Sequence, residues 1–416
     1  MPDSADKYIG ARIAGYRRDR GLTQTGLAMR AHVSKSLVSK VECGQRGASP
    51  EFIAACGRAL GVTPAELLGQ PYRDELRADE LDLLIQPIRE ALNLYNVGGD
   101  PALRPRTIEE LADERDRLSG LIHRTELKAA AIDLPALLAE TTTAAHETGH
   151  PQAWALLCGL NRVAFNLASK LGFQDLALLA ASRTEWAAAR AQDPLLAAMG
   201  TWMSANVCSR YGEFRTGLRL QERGMRLAQD AEPGIERDAA IGQKHLASAV
   251  LAARLRDAGA AAGHLAEAER YAQRTGEATP ERWLGAHAPT SNDPVGFRAR
   301  GVHWYVFGPT NVKAHKIAAL ADQNRFAEAV KVAESLHLPA RWPVMRAGQV
   351  HIDAARSYLW AGREDAAFIS LLKARRIAAE QTRYHPQVRE TVTQLRRRER
   401  SRSGSLAHFA EWVGIS

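Results

Sequence analysis

Aromatic residues make up only 6% of this 416-residue chain, and cysteine occurs just four times. Cys43, Cys56, Cys158 and Cys208 lie far apart, without the paired spacing of a zinc site or a disulfide framework, so reduced thiols in helices are expected and no metal or other cofactor is implied. Long apolar runs are missing too. None reaches the roughly 20 residues that span a bilayer, and the N-terminal MPDSADKYIG lacks the apolar centre of a signal peptide. These absences point to a cytoplasmic protein with no membrane partner. β-Branched residues are sparse, which argues against a sheet. No phosphate-cradling glycine loop or nucleophile elbow occurs, so no catalytic residues are assigned and the chain does not read as an enzyme.

One enzyme motif is present in letters. His146-Glu147-Thr148-Gly149-His150 matches HExxH, in which two imidazoles one helical turn apart hold zinc. Gly149 weakens a helix and Pro151 disfavours helical geometry at His150, so the second imidazole is expected in a turn between helices and the motif is declined.

What the sequence does have is Ala, Leu, Arg and Glu in abundance, with apolar residues recurring at three and four, the mark of an all-α protein. At 416 residues and 45% hydrophobic content it can bury more than one core, so several domains are expected. The formal net charge of +8 suits a polyanionic partner and equally suits an Arg-rich chain without one. Residues 1–70 carry ten Lys and Arg against six acids, which leans the right way for a phosphate backbone.

Five short helices fit the first segment. Ile9, Ile13 and Tyr16 share one helical face, and Gly21 stops that helix. Thr23 caps a second, Ala31-His32-Val33 makes a tight turn, and Ser34 caps a third that runs through Glu42 and is closed by Gly44. Pro50 to Leu60 and Pro64 to Leu68 follow, the first ended by Gly61 and the second capped by Thr63. The run Leu22-Thr23-Gln24-Thr25-Gly26-Leu27-Ala28, then Val33 to Glu42, then Ala59-Leu60-Gly61-Val62 and Leu67-Leu68, resembles the XRE family of phage-repressor-like helix-turn-helix domains. One departure is His32, where this family usually has Gly.

That resemblance implies a partner, double-stranded DNA with a palindromic operator, and a reading face on the third helix. Lys35, Ser36, Ser39 and Lys40 would present to base edges, with the capping Ser34 also at the DNA and Gln24 and Arg46 on the phosphate backbone. Half-site logic then implies a homodimer.

From Gln70 a polar junction leads into an amphipathic segment from about Asp74 to Leu94, and Val97-Gly98-Gly99-Asp100-Pro101 breaks the chain. Residues 1–70 are thus taken as the helix-turn-helix domain, 71–105 as a linker helix and turn, and 106–416 as a sensor and dimerisation domain. Within this last part, Gly172, Gly212, Ala258, Asn324 and Gly362 each fall between two helical runs. Ala205-x-x-Cys208-x-x-x-Gly212-x-Phe214-x-x-Gly217, Leu320-x-x-x-Asn324-x-Phe326-x-x-Ala329 and Ala355-x-x-Tyr358-x-x-x-Gly362-x-x-x-x-Ala367 resemble degenerate tetratricopeptide (TPR) repeats, which stack into an α-solenoid with a concave face. A generic helical bundle is the alternative.

If the repeat register holds, the first helix of each pair lines the concave face, and Asn166 and Asn206 occupy equivalent positions. Arg162, Lys170, Trp202 and Arg210 lie one turn away, with His315, Gln349, Arg356 and Trp360 at related positions later. Such a set suits a small-molecule or peptide effector, Asn pairing with amides and Arg with an acidic group. His303-Trp304-Tyr305-Val306-Phe307-Gly308-Pro309-Thr310-Asn311 is the densest aromatic cluster and resembles an FGPTN stretch of large helix-turn-helix/TPR regulators of actinobacteria. Trp304, Phe307 and Asn311 there are either pocket or core. The basic run Leu395 to Arg402 reads as a solvated helix end, and Leu406 to Val413 as a short capping helix. Two functions fit: a DNA-binding regulator tuned by an effector in the repeats, or constitutive DNA binding with repeats that hold a protein partner.

Overall fold

The computed structural model describes residues 8–70, 78–277, 305–340, 342–398 and 404–415. Among them the chain is all-helical, without a strand. The N-terminal domain contains α1 (Ile9–Asp19), α2 (Gln24–Arg30), α3 (Lys35–Glu42), α4 (Pro50–Leu60) and α5 (Pro64–Leu67). Local signals set their bounds. Thr23 accepts a hydrogen bond from the Gly26 N–H, Ser34 from Leu37 and Ser49 from Phe52, so each helix starts on a satisfied donor. Thr63 and Glu66 close a full capping box at α5. His32 takes the left-handed conformation the α2–α3 turn requires, at φ 54°, which a His reaches at some cost that Gly would avoid. Ile13, Leu27, Val38, Val41, Phe52, Leu60 and Leu67 meet in one small core.

The next helix, α6 (Ala78–Asn93), packs rather than hangs as a free linker: Ile85, Ile88 and Leu92 recur along one face and join the core of the helices that follow. Helices α7 (Ile108–His123), α8 (Leu127–Thr148), α9 (Pro151–Leu171) and α10 (Gln174–Ala191) lead into successive antiparallel pairs. These are α11 (Pro194–Tyr211) with α12 (Phe214–Gln229), α13 (Ile235–Arg254) with α14 (Ala258–Thr275), α15 (Pro309–Asp322) with α16 (Phe326–Ser335), and α17 (Val344–Trp360) with α18 (Glu364–Ile377). The stack is the expected solenoid. Left-handed residues stand at Gly172, Gly212, Asn324 and Gly362, but Ala258 is the first residue of its helix instead. Asp257 caps that helix through the Ala260 N–H, so the left-handed step moves back to Arg256, at φ 61°.

The end of the chain consists of α19 (Ala379–Tyr384), α20 (Pro386–Arg398) and α21 (Gly404–Trp412). Leu406, Phe409, Ala410 and Val413 close the last hydrophobic cluster, over Leu359 and Leu371, as a terminal repeat needs. The basic run is solvated, with Arg396 and Arg397 exposed, yet it also touches the fold. Arg397 lies over the Tyr8 ring at 3.9 Å and donates to the Cys43 carbonyl, while Arg398 covers Trp360 at 4.7 Å. Residues 399–402 of that run lie outside the described residues.

The two imidazoles of the HExxH match part company as their local sequence predicts. His146 is within α8, its Nε2 2.9 Å from the Tyr95 carbonyl. Gly149 is left-handed at φ 62°, and His150 is the N-cap of α9, its Nδ1 accepting from the Gln152 N–H.

Candidate nucleic-acid interface and interdomain cavity

Lys35, Ser36 and Lys40 on α3, with Ser34 and Arg46 at either side, are exposed, and Ser39 is half-buried between them. The helix is held from behind. Glu42, at its last turn, is buried and receives Arg17 Nε at 2.7 Å and Nη2 at 3.0 Å, a forked pair that ties α1 to α3. Gln24 Nε2 donates to the same carboxylate at 2.8 Å. Its amide therefore fixes α2 against α3, a role the sequence did not disclose because nothing local marks Glu42 as buried.

The start of α1, the α3–α4 connection and α4 dock on the repeats. The Ile9 N–H donates to Glu390 Oε2 at 2.8 Å, with Arg12 3.9 Å from the same carboxylate. Arg256, at the α13–α14 turn, pairs with Glu51. Gly212 and Gly47 mark close approaches: a Cβ on Gly212 would lie 2.5 Å from the Ala54 methyl, and one on Gly47 2.8 Å from the Trp360 indole.

Between the two parts is a cavity of about 350 Å³. Ile9, Ala48, Ile53 and Leu68 of the N-terminal domain form one wall. The other comes mainly from the first helices of the later pairs, α11, α13, α15 and α17, and from α20, with Phe214 and Gln221 of α12. Five of the ten effector candidates stand on it: Trp202, Asn206, Arg210, His315 and Arg356, together with Gln349 and Trp360. Asn206 Nδ2 is turned back to the Trp202 carbonyl at 2.8 Å. Arg356 Nη1 and Arg254 Nε converge on Asp322 at 2.7 and 2.8 Å. Burial works against the Asp322 charge, yet the two guanidinium groups outweigh it and hold its pKa below the usual carboxylate value. Asp353 differs: burial pushes it up to about 6, against the hydrogen bond from Gln349. His315 and His385 are pulled down to about 3 by burial and nearby cations, so both are neutral.

The remaining candidates stand elsewhere. Arg162 is buried, its guanidinium 5.4 Å from the Tyr305 ring and Nη1 3.7 Å from Met199 Sδ. Asn166 is half-buried on α9, which contributes nothing to the cavity wall. Phe307 fills the close approach at Gly242 and belongs to the core. Asn311 is buried one layer behind the wall, donating to Gln243 at 3.2 Å and accepting from Arg346 Nη2 at 2.5 Å, and both of those partners line the cavity. Trp304 lies outside the described residues. Polar wall residues that the sequence did not disclose include Gln243, Asp322, Arg346, Asp353, His385 and Glu390. Helical spacing from Arg356 and Gln349 could have found Asp353 and Arg346, which share their face of α17.

Residues 9–68 match the family model of a helix-turn-helix domain. No curated protein matches the chain in sequence. Among solved structures, BtubC (BKLC) from P. vanneervenii is 17% identical, over 66% of this chain and 92% of that one, at a TM-score of 0.35. PlcR of Bacillus thuringiensis, in complex with the peptide PapR7 and DNA, is 11% identical over 89% and 94%, at a TM-score of 0.26. Overlaps this loose transfer no arrangement. Among the described residues no helix is long and apolar enough to cross a membrane.

Proposed function

We propose that this chain is a cytoplasmic, sequence-specific DNA-binding transcriptional regulator of the XRE type, with the helix-turn-helix/TPR layout of actinobacterial regulators. It acts as a homodimer on a palindromic operator and responds to a small effector. It is a binding protein, not an enzyme. The observation that carries this reading is the division of the N-terminal domain. One side presents Lys35, Ser36 and Lys40 to solvent, and the other forms a wall of the interdomain cavity.

Lys can donate to guanine O6 or N7 in the major groove, and Ser serves as donor or acceptor. One such helix covers few base pairs, so two-fold pairing supplies the specificity a genome demands. A ligand in the cavity touches both parts of the chain at once. If it prefers one relative placement of them, it shifts the population of dimers whose reading helices match the operator spacing. With the helix-turn-helix domain seated on the repeats, Ile9, Ala48, Ile53 and Leu68 cover one side of their shared face and leave about 350 Å³, the size of a small-molecule site, which favours the effector reading.

Chromatin immunoprecipitation with sequencing tests the assignment. A shared, two-fold-symmetric sequence under the peaks supports it, and peaks without a common sequence overturn it. Light scattering on the DNA-free protein tests the dimer, which a strict monomer would contradict.

A further inference from the structure

Arg346 is a cation on the cavity wall whose bonded partners carry no charge. It stands on α17, with Nε and Nη2 donating to the side-chain oxygen of Asn311 at 3.2 and 2.5 Å, and Nη2 3.2 Å from His315 Nδ1. Both partners are neutral. Among the described residues no carboxylate hydrogen-bonds this guanidinium. Asp322 is committed to Arg254 and Arg356, Asp353 accepts from Gln349 and acts on Arg346 only through space, and Glu390 caps the backbone of Ile9. Burial pulls Arg346 down to about 10, still far above neutrality, so the cation is present without a hydrogen-bonded anion to match it.

Its surroundings add to the imbalance. Arg210 stands on the same wall, and Lys170, whose Nζ donates to Gln381 at 3.1 Å, is pulled down to about 7 by burial and then by the charges of Arg346 and Arg210. A half-buried guanidinium set against a neutral amide carries a desolvation cost that a directly bonded anion would offset. Beside it the wall turns apolar, through Ala205, Ala247, Ala314 and Val350. At about 350 Å³ the space has the size of a small-molecule site.

We propose that the cavity takes a small molecule carrying one oxyanion, a carboxylate or its sulfonate or phosphate equivalent, on an apolar body. The oxyanion pairs with Arg346, and the body lies along the small apolar side chains of α11, α13, α15 and α17. This rests on the reading of the cavity as the effector site.

Two fluorescent probes of similar shape test the charge. Anilinonaphthalene sulfonate carries an oxyanion on an aromatic body, and phenylnaphthylamine has a closely similar body without it. Titrated into the full chain, the sulfonate binds once per chain and at least about tenfold more tightly than the neutral probe, the margin of one charge-assisted hydrogen bond. R346Q removes that preference and leaves the neutral probe unchanged, R346K keeps most of it, and A247W, which fills the cavity, removes both probes. Equal affinity for the two probes, or an undiminished preference in R346Q, overturns the oxyanion assignment while the effector reading stands. Binding that A247W leaves intact, or no binding at all, overturns both. Should R346Q fail to fold, the two-probe comparison on the unaltered chain and on R346K decides.

Discussion

Glu390 caps the first helix of the chain from 381 residues away, its Oε2 accepting the Ile9 N–H at 2.8 Å. The residue at the cap position of α1, Tyr8, makes no side-chain cap of its own. One donor at that helix start, the Ile9 N–H, is therefore met by a carboxylate from α20, which also suits the positive end of the helix dipole. The join between the helix-turn-helix domain and the repeats is thus written into a secondary-structure terminus, so undocking leaves α1 short of a cap.

Replacing Glu390 by Ala should cost about 1 kcal/mol, the usual scale of a lost helix cap. The loss falls on docking rather than on the global fold. Hydrogen exchange at the first turn of α1 is expected to quicken while amides of Val38 and Val41 stay protected. Unchanged exchange at Ile9 would show that the contact has no energetic role.

Gly212 serves two purposes, since it is left-handed at φ 78° in a repeat turn and packs so tightly on α4 that a Cβ there would come within 2.5 Å of the Ala54 methyl. Gly212→Ala should cost about 1–2 kcal/mol from backbone conformation alone and push the two domains apart as well. Limited proteolysis around residue 70 should accelerate. A variant with unaltered melting and cleavage would contradict both roles.

Arg17 and Glu42 form the forked pair behind α3, with side chains 13% and 5% exposed. Truncating Arg17 to Ala strands a buried carboxylate and should destabilise the N-terminal domain by about 3 kcal/mol. DNA affinity should fall although no base or phosphate contact is removed. Thermal melting of the domain, followed by local hydrogen exchange, separates this loss from a surface effect, which would stay under about 1 kcal/mol.

Asp353 gives a pH dependence with a definite sign. Burial raises its pKa from 3.8 to about 6, so ionising it in the folded chain is penalised, and the penalty is fully present above pH 6 and fades as the pH falls towards 4. Asp353→Asn keeps an acceptor for Gln349 and should stabilise the protein at pH 7 by about 2–3 kcal/mol, with the gain shrinking at pH 4.5. Equal melting shifts at the two pH values would contradict the assignment.

The helix-turn-helix domain was legible nearly residue by residue because its determinants are local. Thr23, Ser34 and Thr63 are caps read from a few neighbours, whereas the Ser49 cap emerged only in the structure, and His32 had to turn left-handed because α2 and α3 are so close in sequence. The repeats were legible where Gly or Asn marks the turn and obscure where it does not, as at Arg256 and at Gln192, which is left-handed at φ 53°. The cavity was half legible. Trp202, Asn206, Arg210, His315 and Arg356 follow from helical register, but the inward aim of Arg346 depends on Asn311, and Asn311 precedes it by 35 residues in another pair. The aromatic cluster could not be assigned from sequence, since core and pocket ask for the same side chains. Tyr305 and Phe307 are core, and only Asn311 reaches towards the cavity, through its partners.

Every functional assignment made for this chain depends on α3 being the reading face. The measurement is selection of bound sequences from a random duplex pool, run in parallel with the full chain and with a Lys35→Ala, Lys40→Ala variant of unaltered melting temperature. The full chain should enrich a two-fold-symmetric motif, and the double variant none. Enrichment of one motif by both proteins would contradict the assignment.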